Sequence, residues 1–260
     1  MNMGRGTLHL WCAYPDDLMD EAAAGACVQL LSEEERARWQ GFKFEQHRRE
    51  YLATHALARI ALSHCGDLAP VTWRFEENAY GKPAIAPACG LRFNLSNSLG
   101  MVVCLVAEGI EVGVDVEARA RAGSITEVGP RMFSAQERAQ LEALSETERP
   151  ERALRLWILK ESYVKARGMG MAMPLNRFSF LFGGAEGIRM AIDPGLDDEP
   201  LRRRFCLLEH ADHCMALMVE SRTAREVKVW EARLPSAVPR PLELGTVRWF
   251  AGAASLREAP

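Results

Sequence analysis

Trp157-Ile158-Leu159-Lys160-Glu161-Ser162-Tyr163-Val164-Lys165, read together with Gly113-Val114-Asp115-Val116-Glu117, decides the fold and locates the chemistry. In the first stretch Glu161 and Lys165 stand four residues apart, so a helix puts them on one face. Leu156, Trp157 and Val164 supply the apolar face of that helix, and Lys160, Glu161 and Lys165 the polar one. In the second stretch Asp115 and Glu117 alternate with valines, and a strand turns the valines to a core and both carboxylates the other way. Taken singly, each pair has a plainer reading: a solvated strand face, and an i,i+4 surface ion pair worth a few tenths of a kcal/mol. Glu161 tips the balance, because a free charge is awkward in so apolar a helix. Three oxygen donors suit Mg²⁺, which keeps some waters and completes its shell from substrate phosphates. A lysine beside them suits phosphate. Gly168-Met169-Gly170-Met171 follows at once, a stop after the helix where a loop can close over a ligand.

Working outward, Leu8 to Tyr14 reads as an opening strand ended by Pro15-Asp16-Asp17. Ser32 followed by Glu33-Glu34-Glu35 reads as a helix cap with an acidic first turn. Glu45 to Cys65 has apolar residues mostly at three- and four-residue steps and reads as a long helix. A Gly81-Lys82-Pro83 turn leads to strands at Leu91–Asn94 and Met101–Val106, with the polar run Asn94-Leu95-Ser96-Asn97-Ser98 between them. The second half repeats this order: a strand at 112–116, helices at 134–144 and 153–167, then strands at 178–182, 205–208 and 215–219. The expected fold is α+β, a pseudo-twofold duplication of two similar halves, 1–110 and 111–220, the second carrying the metal site. Residues 221–260 are expected as a peripheral extension.

With 260 residues, 48% of them hydrophobic, 26% charged and a net charge of −3, the chain can bury a large core and offers no bulk charge for nucleic acid. The N-terminus lacks a signal-peptide pattern, and no apolar run is long enough to cross a bilayer. Seven scattered cysteines form no C-x-x-C, which suggests reduced thiols in a cytoplasmic protein. Zinc at His210-Ala211-Asp212-His213-Cys214 is set aside, because a second ligand pair at standard spacing is missing. Walker, G-x-G-x-x-G and G-x-S-x-G motifs are absent from the sequence.

Five elements in order carry a resemblance: Gly81-Lys82-Pro83, Phe93-Asn94-Leu95-Ser96-Asn97-Ser98, Gly113-Val114-Asp115-Val116-Glu117, Phe133-Ser134-Ala135-Gln136-Glu137 and Trp157 through Lys165. Together they resemble the Sfp-type 4′-phosphopantetheinyl transferases, whose pattern is G-K-P, F-N-x-S-H-S, G-x-D-x-E, F-S-x-x-E and W-x-x-K-E-x-x-x-K. The resemblance spans residues 8 to 220. It implies coenzyme A bound in the cleft between two halves of one monomeric chain, with Mg²⁺ on its pyrophosphate. The metal ligands it implies are Asp115, Glu117 and Glu161. Arg48, Arg49, Lys82, Pro83, Ser96, Asn97, Asp115, Lys160 and Lys165 would surround the coenzyme. Lys165 would offset charge on the leaving group, and Glu161, or Glu137 through a water, would take the proton of the acceptor serine. The acceptor would be an apo acyl or peptidyl carrier protein, and the product 3′,5′-ADP. Glu137 also has a purely structural reading, as partner of Ser134 in a capping box. One departure stands out: Asn97 replaces the usual histidine, keeping a hydrogen-bond donor but losing the charge. That leaves a second reading, a diverged non-catalytic member that binds coenzyme A or carrier protein as a regulatory partner. A third is a different Mg²⁺-dependent phosphotransferase.

Overall fold

A computed structural model of the chain describes residues 6–183, 187–196, 198–221, 226–236, 238–244 and 247–251. The first half runs β1 (Thr7–Ala13), α1 (Glu21–Val28), α2 (Glu33–Gln40), α3 (Glu45–Cys65), a short hairpin of β2 (Phe75–Glu77) and β3 (Pro83–Ile85), and a long hairpin of β4 (Leu91–Ser98) and β5 (Met101–Glu108). The second half runs β6 (Val112–Ala118), α4 (Ala122–Val128), α5 (Ala135–Glu142), α6 (Arg149–Arg167), a short hairpin of β7 (Phe178–Phe182) and β8 (Ile188–Ile192), and a long hairpin of β9 (Arg203–His210) and β10 (His213–Glu220). In each half the opening strand pairs antiparallel with the last strand of the long hairpin, β1 with β5 and β6 with β10. The order β1-β5-β4 is therefore matched by β6-β10-β9. The expected α+β duplication is present.

Strand alternation sorts the core into layers. Leu8, Leu10 and Cys12 of β1, Val103 and Leu105 of β5, Val112, Val114 and Val116 of β6, and Met215 and Leu217 of β10 meet in one apolar layer between the two sheets. The outer face of the first sheet is covered by α3 and that of the second by α6. Since the β6 valines face the layer between the sheets, Gly113, Asp115 and Glu117 face α6. At Gly113 the approach is so close that a Cβ would collide with the Ser162 carbonyl oxygen and the Ala166 amide nitrogen. The glycine of G-x-D-x-E is what lets α6 lie against β6.

Residues 221–260 correct the expectation of a peripheral extension. β11 (Glu226–Glu231) adds to the first sheet in parallel register with β1, and β12 (Arg240–Pro241) follows on its outer edge. β13 (Trp249–Ala251) adds to the second sheet beside β9. Trp230 stacks on Trp11, and Ala232 and Leu234 are buried in the first core. Glu226-Val227-Lys228-Val229-Trp230 carries a strand's alternation, masked in the sequence by the prolines that follow. Positions 222–225, 237, 245–246 and 252–260 of this stretch lie outside the described residues. No helix among the described residues is long and apolar enough to cross a membrane, and all seven cysteines are free thiols.

Where α2 meets α3, Ser32 and Glu35 form the capping box that starts α2. The same Glu35 carboxylate accepts from His55 and pairs with the buried Arg59. Burial alone would raise the Glu35 pKa, but the hydrogen bonds from His55, the Ser32 amide and Arg59 bring it down to about 2. A depressed carboxyl contributes its stability above the unfolded-state value and loses it as pH falls through the folded-state value. Glu35→Gln should therefore cost on the order of 3 kcal/mol at neutral pH, measured by urea unfolding, with the gap to wild type closing between about pH 4.5 and 2. A gap independent of pH would refute the ionic origin. Gly113→Ala should cost about 3 kcal/mol or more in the same assay, because backbone rather than a pliable side chain fills the space.

Candidate functional site

β4 and β6 lie side by side, each at the edge of its own sheet, and are joined by side chains rather than a backbone ladder. Asn94 Oδ1 accepts from the Val114 amide at 2.8 Å, Ser96 Oγ from Val116 at 3.3 Å and Ser98 Oγ from Ala118 at 3.1 Å. The two serines then donate onward, Ser96 to Asp115 Oδ1 at 2.8 Å and Ser98 to Glu117 Oε2 at 2.6 Å. Both carboxylates are thus oriented by the opposite half of the molecule. The polar run 94–98 is part of a strand, and its period of two divides it. Asn94, Ser96 and Ser98 face β6, while Leu95 and Asn97 face the first half.

From α6, Lys165 Nζ donates to Asp115 Oδ1 at 2.6 Å and to Ser96 Oγ at 2.8 Å. Asp115 is 5% exposed, and its second oxygen, Oδ2, is buried without a hydrogen-bond partner. Burial pushes the Glu117 carboxyl up, with the Ser98 hydroxyl opposing and the Asp115 charge adding to it. Burial pushes Glu161 up as well, with Asp115 and Glu117 adding and Lys165 opposing. Three crowded carboxylates with an orphaned buried oxygen are donor chemistry that fits a small hard cation. Their ligand oxygens are not drawn into one tight trio, however. Among the described residues, the three-ligand cluster found within 4.8 Å is Glu151, Glu209 and Cys214, and Arg119 and Arg155 already pair with its carboxylates. At the cleft, Lys165 holds Asp115 and Arg121 holds Glu117.

Two expected site residues are elsewhere. Lys160 and Glu137 are 0% exposed and pair with each other at 2.8 Å. Lys160 Nζ also donates to the Leu175 and Phe178 carbonyls. Glu137 accepts from the Ser134 and Phe180 amides, and completes the Ser134 capping box. Burial pulls the Lys160 ammonium's pKa down and Glu137 pulls it back up. Neither side chain reaches the cleft, so Lys160 is no coenzyme contact and Glu137 no base. The signal was in the spacing: Lys160 lies four residues from both Leu156 and Val164 and so shares their apolar stripe, whereas Trp157, Glu161 and Lys165 form a separate face.

Lys82 is in the cleft wall, but its ammonium bonds Glu111, the Val112 carbonyl and the Ala166 carbonyl at the end of α6. It therefore clasps the joint between the halves. Asn78, which the sequence reading passed over, holds the Gly168 carbonyl from the same turn, and Gly168 closes α6 at φ 64°. Arg48 turns back from α3 to the Phe42 carbonyl in the preceding loop and packs over Trp39. Neither Arg48 nor Arg49 lines the cavities described next.

Two cavities of about 690 Å³ each share Pro83 and Leu95 as lining. One holds Lys165, Glu161 and Trp157, with Tyr80, Met132 and Met171 at its mouth. The other, between α3 and the first sheet, holds Asn97, Arg38, His47, Tyr51 and Arg74. The first of these lies at the joint, lined by both halves and by Glu161 among the carboxylates, and the other is lined by the first half alone.

Glu137→Ala strands the Lys160 ammonium in the core and should cost about 3–5 kcal/mol in denaturant unfolding, whereas Glu137→Gln with Lys160→Met should recover much of it. Full stability of the alanine variant would overturn the structural assignment of this pair.

The model of the 4′-phosphopantetheinyl transferase superfamily matches residues 111–218, from the joint into β10. A phosphopantetheinyl transferase of Thraustochytrium sp. is 31% identical over 207 residues, 75% of this chain and 72% of that protein. The 4′-phosphopantetheinyl transferase HetI of Nostoc sp. is 28% identical over 235 residues, covering 86% of this chain and 91% of the relative. The 4′-phosphopantetheinyl transferase Sfp of Bacillus subtilis is 28% identical over 172 residues, 66% of this chain and 75% of the relative. With the duplicated fold, the cavity at its joint and the ordered motifs, the chain belongs to the 4′-phosphopantetheinyl transferase family.

Proposed function

We propose that the protein transfers 4′-phosphopantetheine from coenzyme A to a serine of an apo acyl or peptidyl carrier protein, with Mg²⁺, and releases 3′,5′-ADP. The observation that carries this reading is the Lys165–Asp115–Ser96 contact beside the unpartnered Asp115 Oδ2 and Glu161. Asp115, Glu117 and Glu161 would hold the cation, which when bound neutralises charge growing on the pyrophosphate. Lys165, anchored by an aspartate and a hydroxyl, is preorganised to donate to the leaving phosphate without first being ordered. Glu161, raised in pKa by burial and by Asp115, takes the proton of the attacking serine. The nucleotide end of coenzyme A would occupy the cavity of Asn97, Arg38 and His47, and the pantetheine arm the cavity of Trp157, with Pro83 and Leu95 between. One chain supplies both walls, so the unit that acts is a monomer.

Asn97 favours a second reading, a non-catalytic binder of coenzyme A or carrier, because it replaces a chargeable donor with a neutral one. Mass spectrometry of an apo carrier panel separates the two. Wild type should add phosphopantetheine in Mg²⁺ and stop when the metal is chelated. Lys165→Ala and Asp115→Ala should lower kcat/KM by about 100-fold or more, and Asn97→His should lower KM for coenzyme A. Coenzyme A binding by calorimetry with every carrier left unmodified would instead establish the binder.

A further inference from the structure

We propose that Arg121 is a built-in occupant of the carboxylate site: its guanidinium holds Glu117 when no divalent cation is bound and must release it when one arrives. The inference rests on the cation reading above and concerns what this chain places in that position itself.

The chain makes the contact at once. β6 ends at Ala118, and the single turn Arg119–Arg121 brings the Arg121 side chain back over the last carboxylate of the strand. One nitrogen, Nη1, lies 3.1 Å from Glu117 Oε1 and 3.3 Å from Oε2. The Ser98 hydroxyl also donates to Oε2, so Glu117 has both oxygens engaged, whereas Asp115 keeps Oδ2 without a partner. Arg121 thus stands where a cation bridging the carboxylates would need Glu117. A guanidinium and a divalent cation on one carboxylate repel each other strongly at such range.

Release is cheap by construction. The Arg121 side chain is 46% exposed and Glu117 9%, so the guanidinium swings into water while the carboxylate stays oriented by Ser98. Ion pairs with so exposed a partner are weak. The turn beneath stays fixed meanwhile, because Arg119 is tied through its amide to the Asp212 carbonyl and through its side chain to Glu151 and Glu209. Arg121 therefore offsets the charge of a buried carboxylate that Ser98 aims, at the expense of cation affinity.

The test is direct titration of the full-length protein with Mn²⁺, free ion being followed by electron paramagnetic resonance in the absence of coenzyme A. Arg121→Gln should bind Mn²⁺ roughly fivefold more tightly than wild type, while Arg131→Gln, which removes a charge from the lining of the cavity that holds Glu161 and Lys165, should change affinity by less than about twofold. In a Glu117→Gln background the Arg121→Gln effect should vanish. Equal or weaker Mn²⁺ binding by Arg121→Gln would overturn the inference, as would an equal gain in Arg131→Gln, which would reduce the effect to net charge. If neither wild type nor Arg121→Gln bound Mn²⁺, the cation reading itself would fall. Binding by wild type that ignores Arg121→Gln would remove only this proposal.

Discussion

The side-chain ladder between β4 and β6 is the constraint from which the rest of the site follows. Asn94, Ser96 and Ser98 satisfy the edge amides of β6 from the other half of the molecule. Left unmet, each of those buried donors would cost about 1–3 kcal/mol. The ladder also substitutes for a continuous sheet. A backbone pairing of β4 with β6 would consume the same amides but leave no hydroxyls over Asp115 and Glu117. With side chains as the bridge, each serine oxygen accepts an amide and then donates to a carboxylate. The bonds that hold the halves together are the same ones that aim the site.

The second wall depends on helix rotation. Gly113 allows α6 to lie against β6, and the Lys160–Glu137 pair fixes which way the helix faces. Lys160 and Glu161 are neighbours about 100° apart around the axis, so seating the first in the core turns the second toward the cleft. Three carbonyl and carboxylate acceptors grip one ammonium: Glu137, Leu175 and Phe178. Such a buried pair is a poor source of net stability compared with apolar packing. Its value lies in being intolerant of a shifted helix, since any rotation would leave a buried charge without its partners.

Much of this was legible in the residues. Strand alternation in Gly113–Glu117 sent both carboxylates to the α6 side, and the four-residue spacing of Glu161 and Lys165 set them on one face. The capping boxes at Ser32 and Ser134 are in place. Of the two readings of Glu137, the capping-box one is in place and the base is not; Lys160 was put beside the coenzyme by the resemblance, although its three- and four-residue spacing to apolar neighbours already placed it inward. The ladder was missed because a run of five residues including four polar ones looks like a loop. Applied to it, a period of two would have separated Asn97 from Ser96 and Ser98. The Lys82 clasp could not have been read at all, since its acceptors, Glu111, Val112 and Ala166, come from two distant segments.

Taken together, these contacts define how the site tolerates its own charge. Three carboxylates gathered at a buried joint are costly to ionise: burial raises the pKa values of Glu117 and Glu161, and repulsion from neighbouring carboxylates adds to it. The chain answers with cations of different commitment. Lys165 is held by two partners, Asp115 and Ser96, at the floor of the cleft. Arg121 reaches in from solvent. A site filled entirely by locked cations would be stable and inert toward a metal. One with none would be left to burial and repulsion, which favour protonation of the acids over readiness to bind. Grading the cations from fixed to displaceable offsets the gathered charge and leaves one position open to exchange.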